Sequence, residues 1–194
     1  MTAAGTNAPS ARESELLEAA YTYALGHGLA ELSLRPLAAA IGSSPRVLLY
    51  LFGSKDGLIR ALLARARRDE LDLVDRVGRR ARGRGGDLAS TALELWRWLA
   101  DDAHRALLTL WAESYVRSLT EPQGPWAGFA EATVRDWLEL LAEAQDVGER
   151  GSPEGVARRT LVLAVLRGAL LDLLATGDVE RTTAAVGLAL SRAG

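Results

Sequence analysis

Cysteine is absent from the chain, and so is any apolar run long enough to cross a membrane. Without cysteine there can be no disulfide bond, thiolate zinc site or thiol nucleophile. The longest apolar stretch, residues 161–175, contains Arg167 and Asp172 and falls short of a membrane span. The N-terminal MTAAGTNAPSARESE has no apolar signal core. We therefore expect a cytoplasmic protein with no membrane partner.

Catalytic and metal-binding motifs are also missing. The chain has 2 histidines: His27 follows a predicted helix end, and His104 stands alone. Neither belongs to an HExxH spacing, no Ser/His/Asp grouping is apparent, and no glycine-rich loop follows a strand. These absences predict a protein that is not an enzyme and that holds no metal or cofactor.

Alternating strand patterns are absent as well, whereas apolar residues recur at helical spacing. Hydrophobic residues make up 48% of the 194 residues, which is enough to fill a core. We therefore predict an all-α fold, arranged as one compact domain or as a small domain fused to a larger one.

Charge is distributed unevenly along the chain. The net charge of −2 argues against a protein that binds polyanions over its whole surface. Residues 1–60 hold five cations and five acids, residues 61–84 hold eight and four, and residues 85–194 hold ten and sixteen. The local net charges are thus 0, +4 and −6. Any nucleic-acid surface must therefore be small and lie within the first 84 residues.

Capping signals divide the first part of the chain into helices. Ser10 and Glu13 form a capping box that starts a first helix at about 11–26. Ser33 starts a second helix of about eight residues, which Gly42 ends.

The next signals define a third short helix and a longer fourth one. Ser44 and Pro45 read as an N-cap followed by the first helical residue, and Gly53 ends that helix. Ser54 then caps a long helix that begins at Lys55 and leads into the second half of the chain. Two short helices joined by a tight glycine-containing turn, packed on a first helix, form a helix-turn-helix.

Turn-rich separators divide the remainder into further helices. The predicted helices lie at 88–100, 103–119, 126–146, 154–175 and 179–191, and the separators are DDA, TEPQGP, VGERGSP and TGD.

Residues 14–63, which include LLEAAYTYALGHGLAELSLRPLAAAIGSSPRVLLYLFGSKDGLI, resemble the tetracycline-repressor (TetR) family of bacterial regulators. The resemblance implies an N-terminal helix-turn-helix DNA-binding domain, 1–55, and a C-terminal ligand-binding and dimerisation domain, 56–194. It also implies a non-catalytic homodimeric repressor that a small molecule releases from a palindromic double-stranded DNA operator.

A recognition helix presents its N-terminal residues to base edges in the major groove, while neighbouring residues hold phosphates. Arg46 can donate a bidentate pair to guanine, although a solvated surface arginine is the alternative. Ser33, Arg35 and Lys55 stand at helix starts where they can bind phosphate. The candidate DNA contacts are Ser33, Arg35, Ser44, Pro45, Arg46, Leu49, Tyr50 and Lys55.

The third helix also departs from the family pattern. Leu48 and Phe52 are expected to face the core together with either Leu49 or Leu51. Leu49 stands where the family often has an aromatic residue, and Leu51 where it often has His or Tyr. Tyr50 either replaces the lost contact or packs with its hydroxyl in water. These departures leave a second hypothesis open, an all-helical ligand-binding or interaction protein with weak or lost DNA binding.

All five tryptophans lie in the second half of the chain, where aromatic stripes predict a cavity for a hydrophobic or planar ligand. Ordinary core packing is the alternative. The candidate ligand-binding residues are Trp96, His104, Trp111, Glu113, Tyr115, Trp126, Phe129, Thr133 and Trp137.

The last two predicted helices are apolar on more than one face, which predicts a two-fold four-helix interface between copies of the chain. The residues expected to fill the inner core are Leu163, Leu166, Leu170, Leu171 and Leu174. The residues expected at the dimer interface are Val162, Ala169, Leu173, Val186 and Leu190.

Overall fold

A computed structural model describes residues 10–83 and 87–193. Both ranges are helical and contain no strand, so the all-α prediction is confirmed. The helices are α1 (Ala11–His27), α2 (Leu34–Ala40), α3 (Pro45–Phe52), α4 (Lys55–Gly83), α5 (Leu88–Leu99), α6 (Arg105–Thr120), α7 (Phe129–Glu143), α8 (Val147–Arg150), α9 (Pro153–Thr176) and α10 (Val179–Ala193). None of the described helices combines the length and the apolar character needed to cross a bilayer.

Local capping explains where the first helices begin. The Ser10 Oγ accepts a hydrogen bond from the Glu13 N–H at 3.1 Å, and the Ser44 Oγ accepts one from the Val47 N–H at 3.3 Å. Gly53, at φ 77°, ends α3 in a conformation that side-chain-bearing residues rarely adopt. The predicted bounds of α3 are therefore confirmed.

Two predicted boundaries in the second half are wrong. The helix predicted at 126–146 begins only at Phe129, because Trp126 lies in a turn that ends at Gly128, φ 75°. The separator VGERGSP contains the four-residue helix α8. The bond from the Arg150 Nε to the Gln145 carbonyl oxygen, 3.0 Å, holds this short turn against the end of α7.

Two hydrophobic cores organise the fold. The first is built by α1 to α4 and takes in Leu110, Trp126 and Phe129 from the second half of the chain. The second is built mainly by α5, α7, α9 and α10. Trp111 packs against both cores, so α6 lies where the two meet.

Helix α4 is tied to α1 by a charged network. The Arg65 Nε donates to the Glu18 carboxylate at 2.6 Å, and Arg65 also pairs with Asp69. The Tyr21 hydroxyl donates to the Asp69 carboxylate at 2.8 Å. Burial, followed by this hydrogen bond, raises the pKa of Tyr21, so the phenol stays protonated. Because Arg65 also lies over the Tyr21 ring, α1 and the first half of α4 are held together by several contacts.

The interface residues predicted on α9 and α10 are mostly internal, so that prediction is wrong. Val162 is 2% exposed, and Leu173, Val186 and Leu190 are also buried within the second core of one chain. Ala169 packs against the same core. The reason is that α10 packs on both α9 and α5, which covers the faces that would otherwise need a second copy.

A different face of α9 is left exposed. Its apolar and small residues follow helical spacing: Leu161, Ala164, Gly168, Leu171 and Ala175. Leu171, expected in the inner core, is therefore on the surface, and Leu188 of α10 is exposed as well.

Candidate functional site

Helix α3 divides cleanly into a buried and an exposed side. Leu48 is 1% exposed, and Leu51 and Phe52 are partly buried, whereas Leu49 is 41% and Tyr50 86% exposed. Leu51 rather than Leu49 thus shares the core-facing side. The outward side of α3 therefore presents Val47, Leu49 and Tyr50 to solvent.

Charged and hydroxyl side chains surround this exposed side. Arg46, Arg35 and Lys55 are exposed, and none of them makes an ion pair within the described parts of the chain. Ser33 and Ser44 are exposed at the starts of α2 and α3, and Ser33 makes no capping hydrogen bond with its side chain. The starts of three consecutive helices therefore offer donors with no protein partner.

A tight turn sets the relation of α3 to α4. The Gly53 N–H donates to the Leu49 carbonyl oxygen at 2.9 Å, and the Ser54 N–H donates to the Phe52 carbonyl oxygen at 2.9 Å. The Ser54 Oγ then accepts from the Gly57 N–H at 2.9 Å, which caps α4. Any movement of the first turn of α4 is therefore passed directly to α3.

A narrow cavity lies between α4, α5, α6, α7 and α9, with about 40 Å³ open to the centre of a water molecule. Its wall is formed by Ala66, Glu70, Trp98, Leu99, Leu107, Leu108, Trp111, Ser114, Phe129, Trp137, Leu163, Leu166, Arg167 and Leu170. The lining is mostly aromatic and aliphatic with a few polar groups, as is usual for small-molecule sites.

The charged groups of the cavity are Glu70, which is buried, and Arg167, which is partly buried. Glu70 accepts a hydrogen bond from the Trp137 indole N–H. Burial raises the pKa of the Glu70 carboxyl, while the Trp137 hydrogen bond and Arg67 act in the opposite direction. The Arg167 Nη1 donates to the Tyr115 hydroxyl at 3.2 Å, and burial lowers the pKa of this guanidinium.

Residues 16–62, which span α1 to the first half of α4, match the model of a family described as bacterial regulatory proteins, tetR family. This match covers the helix-turn-helix segment and supports the likeness of the chain to the TetR family. No protein of curated function matches its sequence.

Solved structures extend the likeness of this chain to TetR-family regulators beyond the matched segment. A transcriptional regulator from Rhodococcus sp. Rha1 is 24% identical with a TM-score of 0.71, covering 93% of this chain and 94% of that one. A TetR-like transcriptional regulator from Rhodococcus sp. RHA1 is 23% identical with a TM-score of 0.61, covering 96% of each chain. The multidrug binding protein EbrR, complexed with proflavin, is 26% identical with a TM-score of 0.58, covering 94% and 99%. The whole chain therefore has the fold of TetR-family transcriptional regulators.

The cavity includes some of the predicted ligand-binding residues. Trp111, Phe129 and Trp137 line it, and Tyr115 reaches it indirectly by holding Arg167. Thr133 is buried near them on α7 without lining the cavity, and its hydroxyl has no partner in the described part of the chain.

The other predicted ligand-binding residues lie elsewhere. Trp96 is 1% exposed in the second core, and its indole N–H donates to the Thr183 Oγ1 at 2.9 Å. Trp126 belongs to the first core. His104 stacks on Trp98, with ring centroids 3.9 Å apart. These three positions are therefore corrected from ligand contacts to packing residues.

Glu113 also has a different position from the one predicted. Its carboxylate accepts hydrogen bonds from the backbone N–H groups of Leu29, at 3.0 Å, and Ala30. These donors lie in the turn between α1 and α2, so Glu113 links α6 to the helix-turn-helix segment of the TetR-family fold.

Most lining residues were not among the predicted ligand contacts, and Glu70 and Arg167 are the two charged ones. Both had a signal in the sequence, because Glu70 continues the apolar stripe of α4 through Ala66, and Arg167 lies on the Leu163 stripe of α9. A charge on an apolar stripe is a candidate site residue. Trp98, also in the lining, lies two residues from Trp96, and this spacing indicates that at least one of the two meets solvent, the ligand site or another subunit.

Proposed function

We propose that this protein is a homodimeric transcriptional repressor. It binds a palindromic double-stranded DNA operator through the starts of α2, α3 and α4, and a small hydrophobic or aromatic molecule in the cavity releases it. Residues 1–55 form the DNA-binding domain and residues 56–194 the ligand-binding and dimerisation domain; residues 1–9 lie outside the described ranges. The observation that carries the proposal is the exposed side of α3, with an unpaired arginine and tyrosine on a rigidly packed helix-turn-helix.

The DNA-reading role rests on geometry and charge. Arg46 is one residue after the start of α3, the part of a recognition helix that meets base edges. Lys55 begins α4, where a cation opposes the helix dipole and a bound phosphate would compensate for it. Tyr50 is free to contact phosphate or sugar from the same face. The site needs no strongly basic surface, since only a few phosphates are contacted at each half-site.

The ligand role rests on the cavity and on one relative. EbrR has been crystallised with proflavin and with imidazole, and it shares the fold of this chain. Here Trp98, Trp111 and Trp137 supply flat walls for a planar molecule. Because the open space is small, a ligand of two rings must displace side chains. Such displacement changes how the surrounding helices pack.

Two physical links join the cavity to the DNA-binding segment. Ala66 and Glu70 of α4 line the cavity, and the same helix is tied to α1 through Arg65 and begins at the α3 turn. Trp111 of α6 also lines it, and Glu113 on the same helix holds the α1–α2 turn. A ligand that moves either helix changes the separation of the two recognition helices from the one-turn spacing of about 34–36 Å that adjacent major grooves require.

The direct test is a fluorescence-anisotropy titration of the full chain against DNA upstream of its own and neighbouring genes. We expect specific, salt-sensitive binding, with affinity falling as salt rises because phosphate contacts release counterions. Binding to none of these sites would favour the second hypothesis, a ligand-binding protein with weak DNA binding. The exposed Leu49 supports that hypothesis, because it stands where the family often has an aromatic residue.

Arg46→Ala and Lys55→Ala are expected to weaken DNA binding in different ways. Losing Arg46 should cost about 1–3 kcal/mol of discrimination against the wrong base, with little change on random DNA. Losing Lys55 should weaken all sequences alike and flatten the salt dependence. Anisotropy on operator and scrambled DNA at several salt concentrations measures both. Equal losses for Arg46→Ala on the two DNAs would contradict its base-reading role.

Dimerisation is assigned to the exposed face of α9 rather than to the residues first predicted. The double variant Leu161→Glu with Leu171→Glu should raise the dimer dissociation constant at least about tenfold, because four carboxylates would replace buried leucines. Sedimentation equilibrium measures the change. Val147→Glu, at an 86% exposed site on α8, is the matched control and should leave the dimer intact. A wild-type chain that is monomeric at micromolar concentration would contradict the proposal.

A further inference from the structure

Two hydrogen-bond donors among the cavity-lining residues have no acceptor in the described part of the chain. They are the indole N–H of Trp111 and the Nη2 of Arg167, and both atoms are buried. Each group can only donate. A buried donor without a partner loses its hydration and gains nothing in return, so native structures usually satisfy it.

Ser114, Glu70 and Trp137, which also line the cavity, are already engaged. The Ser114 hydroxyl donates to the Leu110 carbonyl oxygen at 2.6 Å. Glu70 accepts from Trp137, and the Tyr115 hydroxyl accepts from the second Arg167 nitrogen. The two unpaired groups, Trp111 and Arg167, are both donors, so a ligand that satisfies them must supply hydrogen-bond acceptors.

We infer that the cavity selects a flat aromatic molecule that carries a carboxylate, which Arg167 and Trp111 bind while the aromatic walls hold the ring. The inference rests on the proposed ligand role and specifies the ligand class. A carboxylate matches the site better than a neutral carbonyl, because its bond to a guanidinium is charge-assisted and its two oxygens can serve two donors. Arginine is the residue best suited to this task.

A cationic ligand is the main alternative, since Glu70 also lines the cavity. Glu70 is a poor counter-ion, however. It already accepts from Trp137, burial raises the pKa of its carboxyl towards the neutral form, and Arg67 and Arg167 share its surroundings. A cation would leave both free donors unmet and would add a third positive charge beside the two arginines.

The test compares three ligands of one shape on the full-length protein by isothermal titration calorimetry at neutral pH. Naphthalene-2-carboxylate is the anion, naphthalene-2-carboxamidine is its cationic counterpart, and 2-methylnaphthalene is the apolar control. We expect the carboxylate to bind at least tenfold more tightly than the amidine. Arg167→Met should abolish that preference, whereas Arg167→Lys should retain most of it.

Trp111→Phe keeps an aromatic wall and removes only the N–H. This variant should lower the affinity for the carboxylate several-fold and leave the affinity for 2-methylnaphthalene unchanged. It provides the test if Arg167→Met fails to fold. Arg135→Met, at an exposed site on α7, is the control and should change nothing. Tighter binding of the amidine, equal loss of all three ligands in Arg167→Met, or binding of none of them by the wild type would overturn the inference.

The same titrations separate this inference from the proposed repressor role. Carboxylate binding that depends on Arg167 but leaves operator affinity unchanged would support the ligand assignment and count against ligand-controlled release. Operator binding without any preference for the carboxylate would support the DNA-binding role and contradict the ligand assignment.

Discussion

Trp96→Ala is expected to destabilise the protein by about 3–5 kcal/mol, the usual cost of emptying a buried tryptophan site. Trp96 is 1% exposed and surrounded by the second core, and its N–H is satisfied by Thr183. Truncation leaves a large hole that repacking of the core cannot easily close. Because a small domain is stable by only about 5–15 kcal/mol, a large part of its stability would be lost. Urea unfolding followed by circular dichroism measures the change.

Trp98→Ala is the matched control, two residues further along the same helix. Trp98 is only partly buried and lines the cavity, so its loss should cost less stability but should weaken ligand binding. Trp96→Phe should lower the stability of the protein and leave its ligand affinity unchanged. If Trp96→Phe weakened the ligand and left stability unchanged, Trp96 would be a ligand contact after all.

Glu113→Ala is expected to lower stability by about 1–3 kcal/mol, because it removes a charged acceptor from two backbone N–H groups. Leu29 is fully buried beside these bonds, so water can replace the carboxylate only in part. The variant should also reduce the factor by which ligand lowers operator affinity, since α6 would no longer hold the α1–α2 turn. Urea unfolding and operator titrations with and without naphthalene-2-carboxylate measure the two effects.

Glu131→Ala provides the comparison for Glu113. Its carboxylate is 83% exposed and pairs only with Arg135 four residues away, so its loss should change stability little. A Glu113→Ala protein that lost stability but kept its full ligand response would show that Glu113 only packs the turn and does not transmit the signal.

Much of the helix-turn-helix could be predicted because its signals are local. Ser44, Pro45 and Gly53 mark the ends of α3 through backbone hydrogen bonds and allowed φ values, which depend on neighbouring residues alone. The start of α7 could not be placed in this way. Trp126 continues an apolar pattern, but Gly128 adopts a positive φ that delays the helix.

The cavity and the dimer interface could not be predicted in full from the sequence, because both depend on how helices distant in the chain pack together. The sequence shows that Trp96 and Trp98 cannot share a helix face, but only the position of α10, which supplies Thr183, decides which of them is buried. Likewise, the sequence indicates that the apolar side chains of Val162 and Val186 must be buried, but not by what. In the structure they are buried by contacts within one chain. The aromatic stripes did point to the cavity, which Trp111 and Trp137 line, and the charges on apolar stripes at Glu70 and Arg167 were a second signal in the sequence.

The placement of the tryptophans has an optical consequence. All five lie beyond residue 95, so tryptophan emission comes wholly from the part of the chain that follows α4. Trp98, Trp111 and Trp137 face the cavity, where a bound ring would quench them, whereas Trp96 is shielded in the second core. Trp126, alone among the five, is buried in the first core and reports on the packing of the helix-turn-helix. The protein therefore carries built-in emitters in both cores, and phenylalanine replacements can isolate them one at a time without an attached dye.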